Sequence, residues 1–116
     1  MPSAKVTDPQ GYEVIIEEDR WEHIIDRHPE VEPLQDILLQ TLDKPNLVKR
    51  DPDRDEVFYY YRLTGRSVLR RDDIYMSAVV ERSEGHKIGR VLTAHLVRQP
   101  RKDGEIVWFD PQLKSR

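Results

Sequence analysis

The sequence contains no cysteine, and this absence excludes disulfide bridges, thiolate-ligated zinc and a thiol nucleophile. It also has no long apolar run: 37% of its 116 residues are hydrophobic, and no stretch reaches the roughly 20 apolar residues that cross a bilayer. The residues after Met1 lead into no apolar segment, so no secretory signal is expected. These features predict one small soluble domain over residues 1–116, cytoplasmic and without membrane association. Within it, residues 1–11 are expected to be loosely attached and residues 110–116 to form a tail.

The charge is divided unevenly along the chain, although its sum is only −3. Residues 1–46 carry 4 basic and 11 acidic side chains, a balance of −7, whereas residues 47–116 carry 15 and 11, a balance of +4. If the second part forms a sheet with an open face, that face could bind an anion while the helices remain acidic. The alternative is that both sets of charges are ordinary solvated surface.

The stretch between residues 21 and 30 combines two histidines and an arginine with a helical pattern that stops at a proline. One side of this predicted helix repeats at the spacing i, i+3, i+4, i+7 and consists of Trp21, Ile24, Ile25 and His28. Arg27 falls on a different side. Because Pro29 disfavours helical geometry in the residue before it, the helix is predicted to end near Arg27 or His28. The His28 imidazole at this end could act in catalysis, or it could hold the turn as a hydrogen-bonded structural histidine.

The rest of the chain predicts one more helix and then strands. A short strand is expected over 13–17, ahead of the first helix, and a second helix from Pro33 to about Leu42. The later segments alternate with period two and predict strands at Leu47–Arg50, Val57–Leu63, Ile74–Arg82, Gly89–Arg98 and Glu105–Phe109. This order predicts an α+β fold, in which two N-terminal helices pack on one face of a four- to five-stranded antiparallel sheet.

Strand alternation divides the side chains between the core and an open face. On the strand at Gly89–Arg98 it places Thr93 and His95 together on the far side from the helices. On the aromatic strand predicted at Val57–Leu63, one assignment of faces adds Tyr60 and Arg62 to that open face. The opposite assignment, which three adjacent tyrosines leave open, would place there instead Tyr59 and Tyr61.

A histidine, a hydroxyl, an arginine and a tyrosine on one sheet face suit phosphodiester chemistry. RNA cleavage without a metal ion needs a group that takes the 2′-hydroxyl proton, a group that protonates the departing 5′-oxygen, and a cation that stabilises the phosphorane. Histidine titrates near neutral pH, an arginine fork binds phosphate, and an aromatic ring stacks on an unpaired base. The alternative is that these side chains are ordinary surface.

The sequence predicts neither a zinc site nor a cofactor. His23 and His28 are five residues apart, about 140° around a helix, so they cannot share a metal in the manner of an i, i+4 pair. A site built from these two histidines together with His86 and His95 is therefore not expected.

Five segments together resemble a known family: WEHIIDRHPE, LQDILLQTLDKPNLV, VFYYYR, GRVLTAHLVR and GEIVWF. They are similar to the phage-associated nuclease-like domains of the barnase/EndoU/colicin/RelE superfamily, over a region from about Tyr12 to Phe109. The resemblance implies N-terminal helices against a four-stranded antiparallel sheet, and metal-independent RNA cleavage on its open face. Members are often toxin-like, which implies an antitoxin or immunity protein as a partner.

The resemblance also implies roles for six residues. His28 and His95 would transfer protons, and Arg27 and Arg62 would bind the phosphate. Thr93 would donate a hydrogen bond to the phosphate, and the ring of Tyr60 would stack on a base. Glu81 is a further candidate base by its strand position. The helical pattern turns His28 towards the core, whereas the site requires His28 near the substrate. His28 can meet both requirements if the helix ends at the edge of the sheet. The second hypothesis is a catalytically inactive module that uses this face to bind a protein or nucleic acid.

Overall fold

The structure, a computed structural model, describes residues 3–67 and 73–111, so the predicted tail lies outside the described residues from position 112 onward. Within the described ranges it contains two α-helices, α1 (Glu18–Arg27) and α2 (Gln35–Asp43), and seven strands. The strands are β1 (Ala4–Thr7), β2 (Glu13–Ile16), β3 (Leu47–Arg50), β4 (Val57–Ser67), β5 (Asp73–Ser83), β6 (Ile88–Val97) and β7 (Glu105–Phe109). No helix of residues 3–67 and 73–111 is both long and apolar enough to cross a membrane.

All seven strands form a single mixed sheet with the order β1-β2-β6-β5-β4-β3-β7. The pairs are antiparallel except β2 with β6, which run parallel in the register Glu13↔Ile88, Val14↔Gly89 and Ile15↔Arg90. The α+β class is as expected, but the four- to five-stranded antiparallel sheet is wrong. The short strand expected over 13–17 joins this sheet parallel to β6, and β1, which the sequence does not predict, pairs beyond it, so the sheet extends past β6 by two strands.

Within the N-terminal segment for which loose attachment is predicted, residues 4–8 are tied to the sheet by strand pairing and by a buried polar cluster. β1 pairs with β2, and the Asp8 carboxylate that follows β1 accepts a hydrogen bond from the Tyr60 hydroxyl. Its other oxygen accepts the backbone N–H of Tyr12 at 2.8 Å. The buried Arg82 guanidinium lies 3.8 Å from Asp8 and is sandwiched between the rings of Tyr12 and Phe58.

The first helix ends where the proline predicts. The last residue of α1 is Arg27, and the His28 N–H donates the closing hydrogen bond to the Ile24 carbonyl at 2.7 Å. A 3₁₀ turn over Pro29–Leu34 then carries the chain into α2, which begins two residues after the predicted Pro33.

Both faces of the sheet are packed. The helix face holds the main core, which includes Trp21, Ile24, Leu38, Leu42, Val48, Phe58, Met76 and Ala78. The opposite side, called the second face below, carries a smaller cluster of Val57, Tyr59, Tyr61 and Val79, with Leu47, Tyr75, Leu92 and Val97 packed against it. Residues 98–104 cross this second face, because they connect β6 to β7 on the far side of three intervening strands.

Candidate active site at the edge of β6

Two of the predicted catalytic residues, His28 and His95, lie directly against each other. Their imidazole rings are stacked, with centroids 5.1 Å apart and an interplanar angle of 25°. The two residues come from elements far apart in the sequence, the end of α1 and the C-terminal part of β6. The fold therefore builds a pair of adjacent imidazoles that no local pattern encodes.

The edge of the sheet explains how the rings meet. Ala94 and Leu96 pack towards the main core, so alternation turns His95 to the second face, where it lies opposite Ser77 of β5. Within the described residues, β2 pairs with β6 only as far as Arg90. Beyond Arg90, the end of α1 and the following turn lie against the outer edge of β6 in place of a strand. The His28 ring contacts His95 at this edge.

The His95 imidazole is half-buried, and its environment opposes protonation. Burial lowers the pKa of His95 below its usual value, and the charge of a protonated His28 lowers this pKa further, while Glu30 raises it. The buried Nδ1 of His95 makes no hydrogen bond to any part of the chain that the structure describes. The Glu30 carboxylate lies 3.8 Å from Nδ1 of His28. The surroundings of His95 thus favour its neutral form, and the neighbouring His28 has an acidic side chain, Glu30, beside it.

Thr93 and Arg27 lie near this pair along the chain. Thr93 is partly exposed and sits on the second face, one strand repeat before His95. Arg27 is exposed in the last turn of α1 and immediately precedes His28. A hydroxyl and a cation are therefore close in sequence to the two imidazoles.

Tyr60 and Arg62 do not belong to this site, and their predicted place on the open face is wrong. Tyr60 is fully buried in the main core, where burial and Asp8 raise the pKa of its hydroxyl. Arg62 lies opposite the core residue Met76, and its guanidinium donates to the carbonyl of Lys44 at 2.6 Å. The opposite assignment of the tyrosine strand is the correct one, because Asp8 and Arg82 provide partners for the Tyr60 hydroxyl on the helix face.

The second face also contains residues near His95 that the sequence analysis did not identify. Ser77 lies directly opposite His95 on β5 and is almost fully buried, and Tyr75 precedes it by one strand repeat and is partly exposed. Alternation along β5 places Val79, Ser77 and Tyr75 on the same face of the sheet, so it could have identified both residues.

Glu81, the further candidate base, lies elsewhere on the same face. It pairs with Arg90 and borders a cavity of about 440 Å³ that is also lined by Glu56 and His86. Four residues along β5 separate it from Ser77, which is roughly 13 Å at 3.3 Å per residue. Glu81 is therefore too far to share a reacting atom with His95.

The remaining histidines stay apart from the pair. His23 is exposed on α1, and His86 lies in the turn after β5, where its Nδ1 is 3.3 Å from the Ser83 hydroxyl. Residues 3–67 and 73–111 contain no group of three or more side chains arranged to hold a metal ion.

A second polar cluster fastens residues 98–104 across the second face. The Arg101 guanidinium donates to the Tyr59 hydroxyl and to Asp103, and its backbone N–H donates to the Tyr61 hydroxyl at 3.2 Å. The Tyr59 hydroxyl in turn donates to Asp51 at 2.5 Å and lowers the pKa of that carboxyl group. Residues 98–104 therefore cover Tyr59 and Tyr61, and Arg101 bonds to the hydroxyl groups of both.

Comparisons with protein-family models, with curated proteins and with solved structures give no match to this chain. A function must therefore be argued from the geometry at the edge of β6, and the similarity to the nuclease superfamily stays a prediction.

Proposed function

We propose that the protein is a metal-independent ribonuclease whose proton-transfer groups are His28 and His95. The observation that supports this most is the stacked pair of imidazoles, 5.1 Å apart, at an edge of the sheet. Two histidines in one site can supply both the base and the acid that cleavage of a phosphodiester requires. A positive charge on His28 disfavours protonation of His95, so one ring can be protonated while the other is neutral.

The neighbours of each ring support one division of the two roles. The pKa of His95 is lowered, so His95 is the neutral base that takes the proton from the 2′-hydroxyl group. The 2′-oxygen then attacks phosphorus, and the bond to the 5′-oxygen breaks. Protonated His28, with Glu30 beside it, donates a proton to that departing oxygen. The products are a 2′,3′-cyclic phosphate and a free 5′-hydroxyl, so atoms and charges balance.

Phosphate binding in this proposal falls to Arg27 and Thr93. An exposed guanidinium next to His28 can form paired hydrogen bonds to phosphate oxygens, and the Thr93 hydroxyl can add a third. Arg62 and Tyr60 take no part, because both lie on the helix face.

The proposal includes a cytoplasmic location, where RNA is abundant, and a protective partner. An active ribonuclease of this kind would cleave the RNA of the cell that makes it. An antitoxin or immunity protein that covers the β6 edge would prevent this.

The test is cleavage of mixed single-stranded RNA by the purified protein in the presence of EDTA. We expect cleavage by the wild type and a loss of at least about 100-fold in His95→Ala and in His28→Ala, the usual contribution of a general acid or base. The matched control is His23→Ala, since His23 is an exposed histidine on the same helix. Equal rates in all four proteins would contradict the proposal. RNA binding without cleavage would favour a catalytically inactive binding module.

A further inference from the structure

The second face carries three tyrosines, and they differ in how much ring surface a ligand could reach. Tyr59 and Tyr61 are only 9% and 3% exposed, and the hydroxyl groups of both bond to Arg101. Tyr75 is partly exposed and packs against the edge of this cluster. Among the described tyrosines of this face, Tyr75 is therefore the most exposed residue and the best placed to meet a ligand.

The register places Tyr75 beside the histidine pair. Tyr75 lies opposite Val97, and Ser77, one strand repeat further along β5, lies opposite His95. Diagonal neighbours of this kind have backbones about 7–8 Å apart, within reach of large side chains. A base that rests on Tyr75 would thus belong to a nucleotide next to the phosphate at His95.

Packing also holds the Tyr75 ring in place before any ligand arrives. Its ring meets that of Tyr61 nearly at a right angle, 86°, with centroids 6.5 Å apart. Such edge-to-face contacts are favourable in themselves. A ring that is already ordered loses little conformational entropy when a base stacks on it.

We infer that Tyr75 is the stacking platform for an unpaired base next to the cleaved bond, so that the substrate class is single-stranded RNA. The inference rests on the proposed function and adds to it a specificity residue. Bases in a duplex are stacked on one another and cannot offer a face to a side chain, whereas bases in loops and single strands can. Stacking of this kind tolerates any base, so we expect little sequence preference at this position.

The test measures binding of a labelled single-stranded oligonucleotide with 2′-O-methyl groups, which lacks the attacking hydroxyl, by fluorescence anisotropy. Tyr75→Leu keeps an apolar contact with Tyr61 but removes the aromatic face, and we expect binding to weaken about 5- to 100-fold, in line with base stacking. Tyr75→Phe keeps the face and should bind within about twofold of the wild type. The matched control is Phe109→Leu, because Phe109 is 40% exposed on the distant strand β7. A duplex of the same sequence should bind more weakly and respond less to Tyr75→Leu.

The outcomes separate this inference from the proposed function. If Tyr75→Leu binds as tightly as Tyr75→Phe, while the wild type cleaves RNA and His95→Ala does not, the stacking role is wrong and the ribonuclease proposal stands. If the wild type neither binds the oligonucleotide nor cleaves RNA, both fall. Thermal unfolding of each variant, compared with the wild type, confirms that a loss of binding reflects the ring and not the fold.

Discussion

The imidazole of His95 is stacked on that of His28, so a positive charge on His28 raises the free-energy cost of protonating His95. The pair comes from the end of α1 and from β6, and the uncovered edge of β6 brings them together.

The first prediction concerns the titration of His95, which NMR of the imidazole carbon-bound protons measures directly. The pKa of His95 should lie below the ordinary histidine value of 6.5. In His28→Gln it should rise, because a nearby positive charge is removed and the ring becomes more exposed. In Glu30→Gln it should fall further, because a stabilising negative charge is lost.

The opposite signs make this test strict. Glu22→Gln removes a carboxylate from an exposed position on α1 and serves as the control, with no change expected at His95. A shift of the same sign in His28→Gln and Glu30→Gln would show that the two neighbours do not act on His95 through their charges.

The second prediction concerns stability as a function of pH. The folded state lowers the pKa of His95 relative to the unfolded chain, so between these two values the unfolded state binds more protons. The contribution of neutral His95 to stability is therefore complete above about pH 6.5, the usual value, and is lost as the pH falls through the folded value. Urea unfolding at several pH values should show a smaller decline towards acid in His95→Gln than in the wild type. His23→Gln, the same substitution at an exposed position on α1, is the control, and equal declines in the two variants would contradict the assignment of the effect to His95.

The third prediction concerns the buried contact between Tyr60 and Asp8. Tyr60→Phe removes the hydroxyl that bonds Asp8 and Arg82, and leaves both charged groups buried with one partner fewer. The free energy of unfolding should fall by about 1–3 kcal/mol, the cost of an unsatisfied buried polar group. Chemical denaturation measures it. Tyr75→Phe, which removes a hydroxyl from a partly exposed ring, should change stability by less than about 0.5 kcal/mol. Equal losses in the two variants would mean that the cluster does not anchor β1.

Local signals were sufficient for several elements. The end of α1 at Arg27 is set by Pro29, the next residue but one, and the strands at Leu47–Arg50 and Glu105–Phe109 have the predicted bounds. In each case the determinants are within a few residues: a proline, a turn sequence or a β-branched run. Such features can be predicted because the physical cause lies in the same segment.

The features that could not be predicted depend on partners far along the chain. The face that Tyr60 occupies is decided by Asp8 and Arg82, 52 and 22 residues away, since three adjacent tyrosines satisfy either alternation. The parallel pairing of β2 with β6 has no local signal either. The candidate site lies between these cases: each histidine was identifiable from its own segment, whereas their contact depends on the edge that β2 leaves uncovered.

The fourth prediction concerns Gly104, where the segment that covers the second face enters β7. Its φ angle is +89°, and a Cβ atom there would overlap the carbonyl oxygen of Arg50, which as backbone cannot turn aside. Gly104→Ala should therefore destabilise the protein by more than about 1 kcal/mol, because strain and overlap outweigh the gain from a stiffer unfolded chain. Gly85→Ala is the matched control, since nothing lies within 4 Å of the added methyl group. Urea unfolding compares the two variants, and a Gly104→Ala protein as stable as Gly85→Ala would contradict the close approach of β7 to β3. Because Arg101 lies in the same crossing segment, Gly104→Ala should also expose Tyr59 and Tyr61, which fluorescence quenching by acrylamide would detect.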